Sequence, residues 1–267
     1  MLSSVIDQVL VVSLPDDTER REHVKHHFSD IGINHFQFVD GVNFKSDAVK
    51  QFYLSGRVTP FPNCFRCNKP QCECANNVII PQQVANWLAF EKAWTKVVQN
   101  QGLTLVCEDD VWFYPGAMRL LCQALSQIDT STEKPLLIRL ANSGLDSEVC
   151  LKEVINTRLS NKIVMSNVAF IMNAAMASLL LNNFTKIETT SDIFIHSQMA
   201  NKSEVIAHTI EPLLATDLSY NKSYAKFISR IHPKGLNEED TVRMNSHIKR
   251  VNSKEQYQSV LGKWLNS

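Results

Sequence analysis

Three consecutive carboxylates, Glu108, Asp109 and Asp110, follow directly on the apolar run Leu103-Thr104-Leu105-Val106-Cys107. Crowding them costs electrostatic free energy, because each raises the pKa of its neighbours unless a cation or strong hydrogen bonds compensate. A hard divalent ion shared with phosphate oxygens is one such compensation, since magnesium and manganese take carboxylate ligands and keep positions open for substrate. A solvated acidic turn is the other reading of these residues, and spacing does not decide between the two. A second cluster, Cys64-x-x-Cys67 and Cys72-x-Cys74, packs four of the seven cysteines into eleven residues. Four thiolates can bind a structural zinc ion and fold a segment too short to build its own core. Arg66 and Lys69 would offset the charge of such a site, with disulfide or free-thiol states as alternatives. Cys107, Cys122 and Cys150 stand singly and read as small buried side chains.

The elements that must position these groups follow from periodicity. Residues 9–14 form an apolar, β-branched run stopped by Pro15, which predicts a buried strand. Asp16, Asp17 or Thr18 can cap a helix over 19–31 that Gly32 ends, and 36–39 alternate like a second strand before Asp40-Gly41. Strand, helix and strand in that order predict parallel pairing with a right-handed crossover. Gly56, Pro60, Pro62, Pro70 and Pro81 interrupt this rhythm, and the cysteines fall inside that stretch. A helical period returns with Val84, Trp87, Leu88, Trp94 and Val98 and ends at Gly102. The strand over 103–107 then sets the three carboxylates at its carboxyl end, where open α/β sheets collect ligands. A helix over 115–128, strands over 136–140 and 168–172 and a helix over 174–181 complete the reading. Beyond Asp192 the chain is more polar and is expected to wrap the core with helices and loops.

Ser13 closes the first strand, where a nucleotide base or ribose would rest. Arg20 and Arg21 open the following helix, and one could pair with phosphate or with a local carboxylate; Arg21 could equally be an ion-pair partner of Asp17, four residues earlier. His23, His26 and His27 read as a solvated helix face.

The composition is that of an ordinary globular protein. There are 267 residues, 27 Lys+Arg against 27 Asp+Glu, 44% hydrophobic and 20% charged. Balanced charge argues against a general nucleic-acid binder. The longest nearly apolar run, 168–181, is too short to span a bilayer, and 9–14 is too short for a secretory core segment. A soluble, cytoplasmic protein in one domain is expected, with at most peripheral contact at the inner face of a membrane.

Several motifs, taken in order, carry a resemblance. They are Val11-Val12-Ser13-Leu14, Arg20-Arg21-Glu22, Phe38-Val39-Asp40-Gly41 and Leu105-Val106-Cys107-Glu108-Asp109-Asp110-Val111. Leu137-Ile138-Arg139-Leu140, Asn167-Val168-Ala169-Phe170-Ile171-Met172, Ser191-Asp192-Ile193-Phe194 and Glu211-Pro212-Leu213-Leu214 follow. Over roughly residues 7–230 the chain resembles glycosyltransferase family 25, which includes lipooligosaccharide and collagen galactosyltransferases. The resemblance implies a GT-A type (Rossmann-like), mostly parallel α/β sheet flanked by helices. In this reading the Cys-rich insert at 60–82 and a helical tail at 230–267 belong to that single domain.

It further implies an inverting transfer of a hexose from a nucleotide sugar, UDP-galactose being the commonest donor, to a hydroxyl of a glycan or lipooligosaccharide. Glu108, Asp109 and Asp110 would hold Mn2+ or Mg2+, with Asp110 the direct ligand. Ser13, Leu14, Arg20, Arg21, Asn142 and Asn167 would bind donor. Asp192 would be the base, with Glu211 in reserve. Where the family carries Gly-Glu-x-Gly-Cys-x-x-Ser-His, this chain has Gln82-Gln83-Val84-Ala85-Asn86-Trp87-Leu88-Ala89-Phe90. A catalytically diverged nucleotide-, glycan- or protein-binding module is therefore the second reading, and a nucleotidyltransferase on a related sheet the third.

Overall fold

The run at residues 9–14 is apolar throughout because the strand it forms, β1 (Gln8–Ser13), is covered on both faces. Leu10 and Val12 enter one core and Val9 and Val11 the other. The computed structural model describes residues 5–64, 68–70, 78–142, 153–200, 203–219, 226–227 and 254–267, with 254–257 by backbone alone. After β1 come α1 (Thr18–Asp30) and β2 (Gln37–Asp40), and β2 pairs parallel with β1 as the strand-helix-strand pattern requires. β3 (Thr104–Glu108) lies parallel on the other side of β1, with Glu108 opposite Val12.

Beyond β3 the sheet continues through β7 (Ala169–Met172), β5 (Leu136–Arg139), β8 (Ile206–Glu211) and the edge strand β6 (Arg158–Ser160). β7 is antiparallel to both its neighbours and β6 to β8, so β1, β2, β3, β5 and β8 all point one way. The sheet is mixed, with five of its seven described strands sharing one direction, in keeping with the expected α/β arrangement. Helices α3 (Pro81–Val98), α5 (Ala174–Asn183) and α6 (Ser191–Ala200) cover one face, joined by α2 (Asp47–Leu54) and by Leu261 of α7 (Lys254–Leu265). Helices α1 and α4 (Ala117–Leu125) cover the other. No helix of the described residues is long and apolar enough to cross a membrane.

Two expectations need correction. The C-terminal third does not merely wrap the core: β8 pairs with β5 inside the sheet, and β9 (Ala215–Asp217) joins β4 (Val111–Phe113) in an antiparallel ribbon. β8 carries half-buried Ala207 and His208, so it lacks the apolar run that marks an inner strand. Of the three histidines of α1, only His26 is solvated. His23 and His27 are buried, and His27 stacks on Trp112 with 4.2 Å between ring centroids. His27 Nε2 accepts the Phe113 backbone N–H at 2.9 Å, and His23 Nε2 lies 3.1 Å from the Val111 carbonyl oxygen. These contacts fasten α1 to the ribbon that carries the acidic residues.

Burial, with His23 adding to it, pushes His27 down to about 4. Between pH 6.5 and 4 the unfolded chain therefore takes up a proton at this position before the folded one does, so folding loses stability as pH falls through that window. The loss amounts to about 3 kcal/mol. Denaturation midpoints followed from pH 7 to 4 are expected to drop in the wild type, and to drop less in His27→Gln, whose carboxamide oxygen can still accept the Phe113 N–H.

Candidate functional site

The carboxyl ends of β1 and β3 open into a cleft of about 590 Å³, of a size suited to a small ligand. Ser13, Leu14, Asp17 and Arg20 form its floor near α1, and the loop from Gly41 to Phe44 forms one wall. Gly41 N–H donates to the Ser13 carbonyl at 2.7 Å, and a Cβ at residue 41 would stand 3.3 Å from Leu14. The glycine thereby lets the two strand ends close together. Gln82, Ala85, Asn86 and Ala89, one face of α3, make the opposite wall. Glu108, Asp109 and Asp110 enter from β3, and Asp217 and Ser219 from the end of β9.

The acidic cluster is not a solvated turn. Asp109 and Asp110 are buried, and so is Asp217, which the ribbon register sets opposite Val111. Burial raises Glu108 well above the usual carboxylate range, with Asp110, Asp217, Asp109 and Asp192 adding to the effect. Burial and Asp110 also raise Asp109, against the opposing pull of Arg20 and the Ser13 hydroxyl. The internal counter-charge is Arg20. Its guanidinium lies 2.6 Å from Asp109 Oδ1, 3.3 Å from Asp110 Oδ2 and 3.6 Å from Asp17 Oδ2. It also donates to Ser219 Oγ at 2.8 Å, and the Ser219 hydroxyl donates in turn to Asp110 Oδ2. Burial would lower the Arg20 pKa, but Asp110, Asp109 and Asp17 outweigh it and hold the charge firmly.

Arg20, expected at donor phosphate, thus spends its donors on the cluster that was expected to need a metal. Asp109 is correspondingly committed to Arg20. Asp110 Oδ1, by contrast, is buried with no hydrogen-bond partner among the described residues. Those residues hold no three-ligand set of His, Cys, Asp or Glu for a metal. A hard cation arriving with a diphosphate needs only one or two carboxylates, and Asp110 Oδ1 beside Glu108 fits that use.

The other expected residues are distributed more widely. Ser13 and Leu14 line the cleft. Arg21 does not: it donates to the Leu14 and Ser13 carbonyls at 3.1 Å each and to Asp40 at 2.6 Å, bracing β1 against β2. Asp17 therefore pairs with Arg20, not with Arg21. Asn142 meets Thr216 through its backbone carbonyl, away from the lining. Asn167 is buried behind α3, bound to Arg139 and Ser191. Asp192 stands in the first turn of α6 and acts on Glu108 and Arg139 by its charge, without lining the cleft. Glu211 ends β8, where Arg158 of the edge strand β6 donates to it and lowers its pKa. That pairing lies outside the cleft lining.

Cys64 is buried, whereas Cys67, Cys72, Cys74 and Cys150 lie outside the described residues. The substituted family stretch proves to be the start of α3. Gln83, in place of the acid, caps its own helix by accepting the Ile80 N–H at 3.0 Å. Ala89 faces the cleft, and Phe90 is fully buried near Trp94 and Phe170.

Four groups escaped the sequence reading: Asp17 as a partner of Arg20, Asp217, Ser219 and Arg139. Asp217 ends the short run Leu214-Ala215-Thr216, an acid after an apolar strand like Glu108, and that signal was available. Arg139 is wholly buried, and its Nε and one terminal nitrogen have no hydrogen-bond partner among the described residues. Burial lowers it to about 10, with Asp192 and Glu108 opposing.

The model of glycosyltransferase family 25 (LPS biosynthesis protein) matches residues 6–195. A glycosyltransferase 25 family member of Drosophila pseudoobscura pseudoobscura is 25% identical over 134 residues, 46% of this chain, and the match spans only 19% of that longer protein. Similar solved structures include a glycosyltransferase involved in glycosylation of the major capsid of PBCV-1, at 12% identity and TM-score 0.32, covering 76% of this chain and 80% of that one. Another is the inositol-1-phosphate CTP transferase of T. maritima, at 11% identity and TM-score 0.38, covering 82% and 91%. With the family model covering well over half of its length, the chain belongs to glycosyltransferase family 25.

Proposed function

We propose that the chain transfers a hexose, galactose first among candidates, from a UDP-sugar to a hydroxyl of a glycan or lipooligosaccharide. The observation that carries this reading is the convergence of Ser13, the 108–110 carboxylates, Asp217 and one face of α3 on a single cleft at the strand ends. The nucleotide is taken against Ser13, Leu14 and the 41–44 loop, and the diphosphate against the acidic cluster. Mn2+ or Mg2+, held by Asp110 Oδ1 and Glu108, would neutralise charge developing on the leaving diphosphate. Arg20 keeps Asp109 and Asp110 fixed, so they need not reorganise as that charge grows. The acceptor hydroxyl gives its proton to a carboxylate. Asp192 is the choice by resemblance, and Asp217 is the carboxylate of the cleft wall that could serve instead. A structural zinc on Cys64, Cys67, Cys72 and Cys74 would staple the insert, a reading that rests on residue type and spacing alone.

A thermal-shift screen of nucleotide sugars with and without manganese tests the donor class. A ligand that binds only the folded chain at a hundred times its Kd adds about 2.7 kcal/mol, which raises the melting point by about 5–10 °C for a chain of this size. A UDP-hexose is expected to give that rise. Binding without turnover would favour the diverged-module reading, for which the Ala89-Phe90 replacement speaks.

A further inference from the structure

Arg139, Asn167, Ser191 and Asn86 form a hydrogen-bonded chain that runs from the sheet to the cleft wall. Arg139 donates to Asn167 Oδ1 at 3.0 Å, Asn167 Nδ2 donates to Ser191 Oγ at 3.0 Å, and Ser191 Oγ donates to Asn86 Oδ1 at 2.9 Å. A guanidinium can only donate, so the atom of Asn167 facing it must be the carbonyl oxygen. The Asn167 amide group must then face Ser191, which spends its one hydrogen on Asn86. The directions are dictated from the buried end as far as Ser191, and the Ser191–Asn86 bond has the hydroxyl as its donor. At the cleft, Asn86 is left with its oxygen turned inward and its NH2 free to donate to a ligand.

One helical turn earlier, Gln82 lines the same wall, and its Oε1 is buried with no hydrogen-bond partner among the described residues. Residues four apart share a helix face, so an oriented donor and an unpaired acceptor stand side by side. Between and beyond them, Ala85 and Ala89 present only methyl groups to the cleft, leaving room for a ring to lie against the helix.

We propose that Gln82 and Asn86 form a sugar-hydroxyl subsite, in which one hexose hydroxyl accepts from Asn86 Nδ2 and donates to Gln82 Oε1. A hydroxyl does both at once, which a phosphate oxygen cannot. The two carboxamides stand where the resembling family stretch has Gly and Cys, so the subsite belongs to this chain's own divergence. Asn167 and Ser191 are positioning residues, acting through Asn86. The inference rests on the nucleotide-sugar reading above and deepens it.

The test is calorimetric titration of the full chain with UDP, UDP-galactose and UDP-glucose in manganese. The variants are Asn86→Asp, which keeps the acceptor for Ser191 and loses the donor, and Gln82→Met, which removes the acceptor without adding charge. Each is expected to weaken the UDP-hexose that the wild type binds by about ten-fold or more, while UDP affinity stays within about two-fold. Ser191→Ala, which frees the Asn86 carboxamide to turn, is expected to give a smaller loss of the same selectivity. Melting temperatures close to wild type certify the fold of each variant. Equal weakening of UDP and UDP-hexose by Gln82→Met, or unchanged hexose affinity in both variants, would overturn the subsite. If wild type binds no UDP-sugar at all, the nucleotide-sugar reading itself fails, and that failure is visible before any variant is made.

Discussion

Replacing Arg20 by Met is expected to destabilise the fold by about 3–5 kcal/mol at neutral pH, because it strips a buried cation from three carboxylates. Asp17, Asp109 and Asp110 all lie within 3.6 Å of that guanidinium, and their side chains are nearly as buried as its own. A simple loss of packing would cost the same at every pH, and this loss should not. Asp109 and Glu108 have raised pKa values even with Arg20 in place. The folded state of the variant therefore binds protons at a higher pH than the unfolded chain does. Between those two pKa values, stability rises as pH falls. The gap between wild type and Arg20→Met in urea denaturation is thus expected to narrow on acidification towards pH 4.5. A gap that is constant with pH, or one below about 1 kcal/mol, would show that the cluster does not depend on this cation.

The strand framework was legible because burial on both faces writes a continuous apolar run, as in β1, β3, β5 and β7, and because α5 keeps an apolar helical stretch. The buried face of α1 was not. Its inward residues, Arg20, His23, Val24, His27 and Phe28, keep helical spacing but are mostly polar letters, which pair with Asp109, Val111 and Phe113 across about ninety residues of chain. Helix periodicity sees residue type and is blind to partners that the topology supplies. The same limit explains why the three carboxylates could be placed at a strand end but their counter-ion could not. β9 is three residues long and gains its order from pairing with β4, so Asp217 carried only a faint local signal. Motif order found the family correctly, yet it also offered Glu211, which the fold carries to the end of β8 beside the edge strand β6. A motif fixes sequence position, and only the sheet order decides which positions meet.

Asp110→Asn separates charge needed for folding from charge needed for chemistry. The carboxamide oxygen can still accept from Arg20 and from Ser219, while the substitution removes a negative charge that raises both Glu108 and Asp109. The variant is therefore expected to be at least as stable as wild type, as residues held for function at a cost in stability often are when replaced. What it loses is the unpartnered Oδ1, the atom assigned to the cation and diphosphate. The most direct measurement is UDP release from UDP-galactose and related UDP-hexoses in manganese, wild type beside Asp110→Asn. The expected result is measurable release by wild type and a rate about a hundred-fold or more lower in the folded variant. Release at the wild-type rate by Asp110→Asn, or pyrophosphate release from a nucleoside triphosphate in place of UDP release, would contradict the assignment of this cleft to sugar transfer.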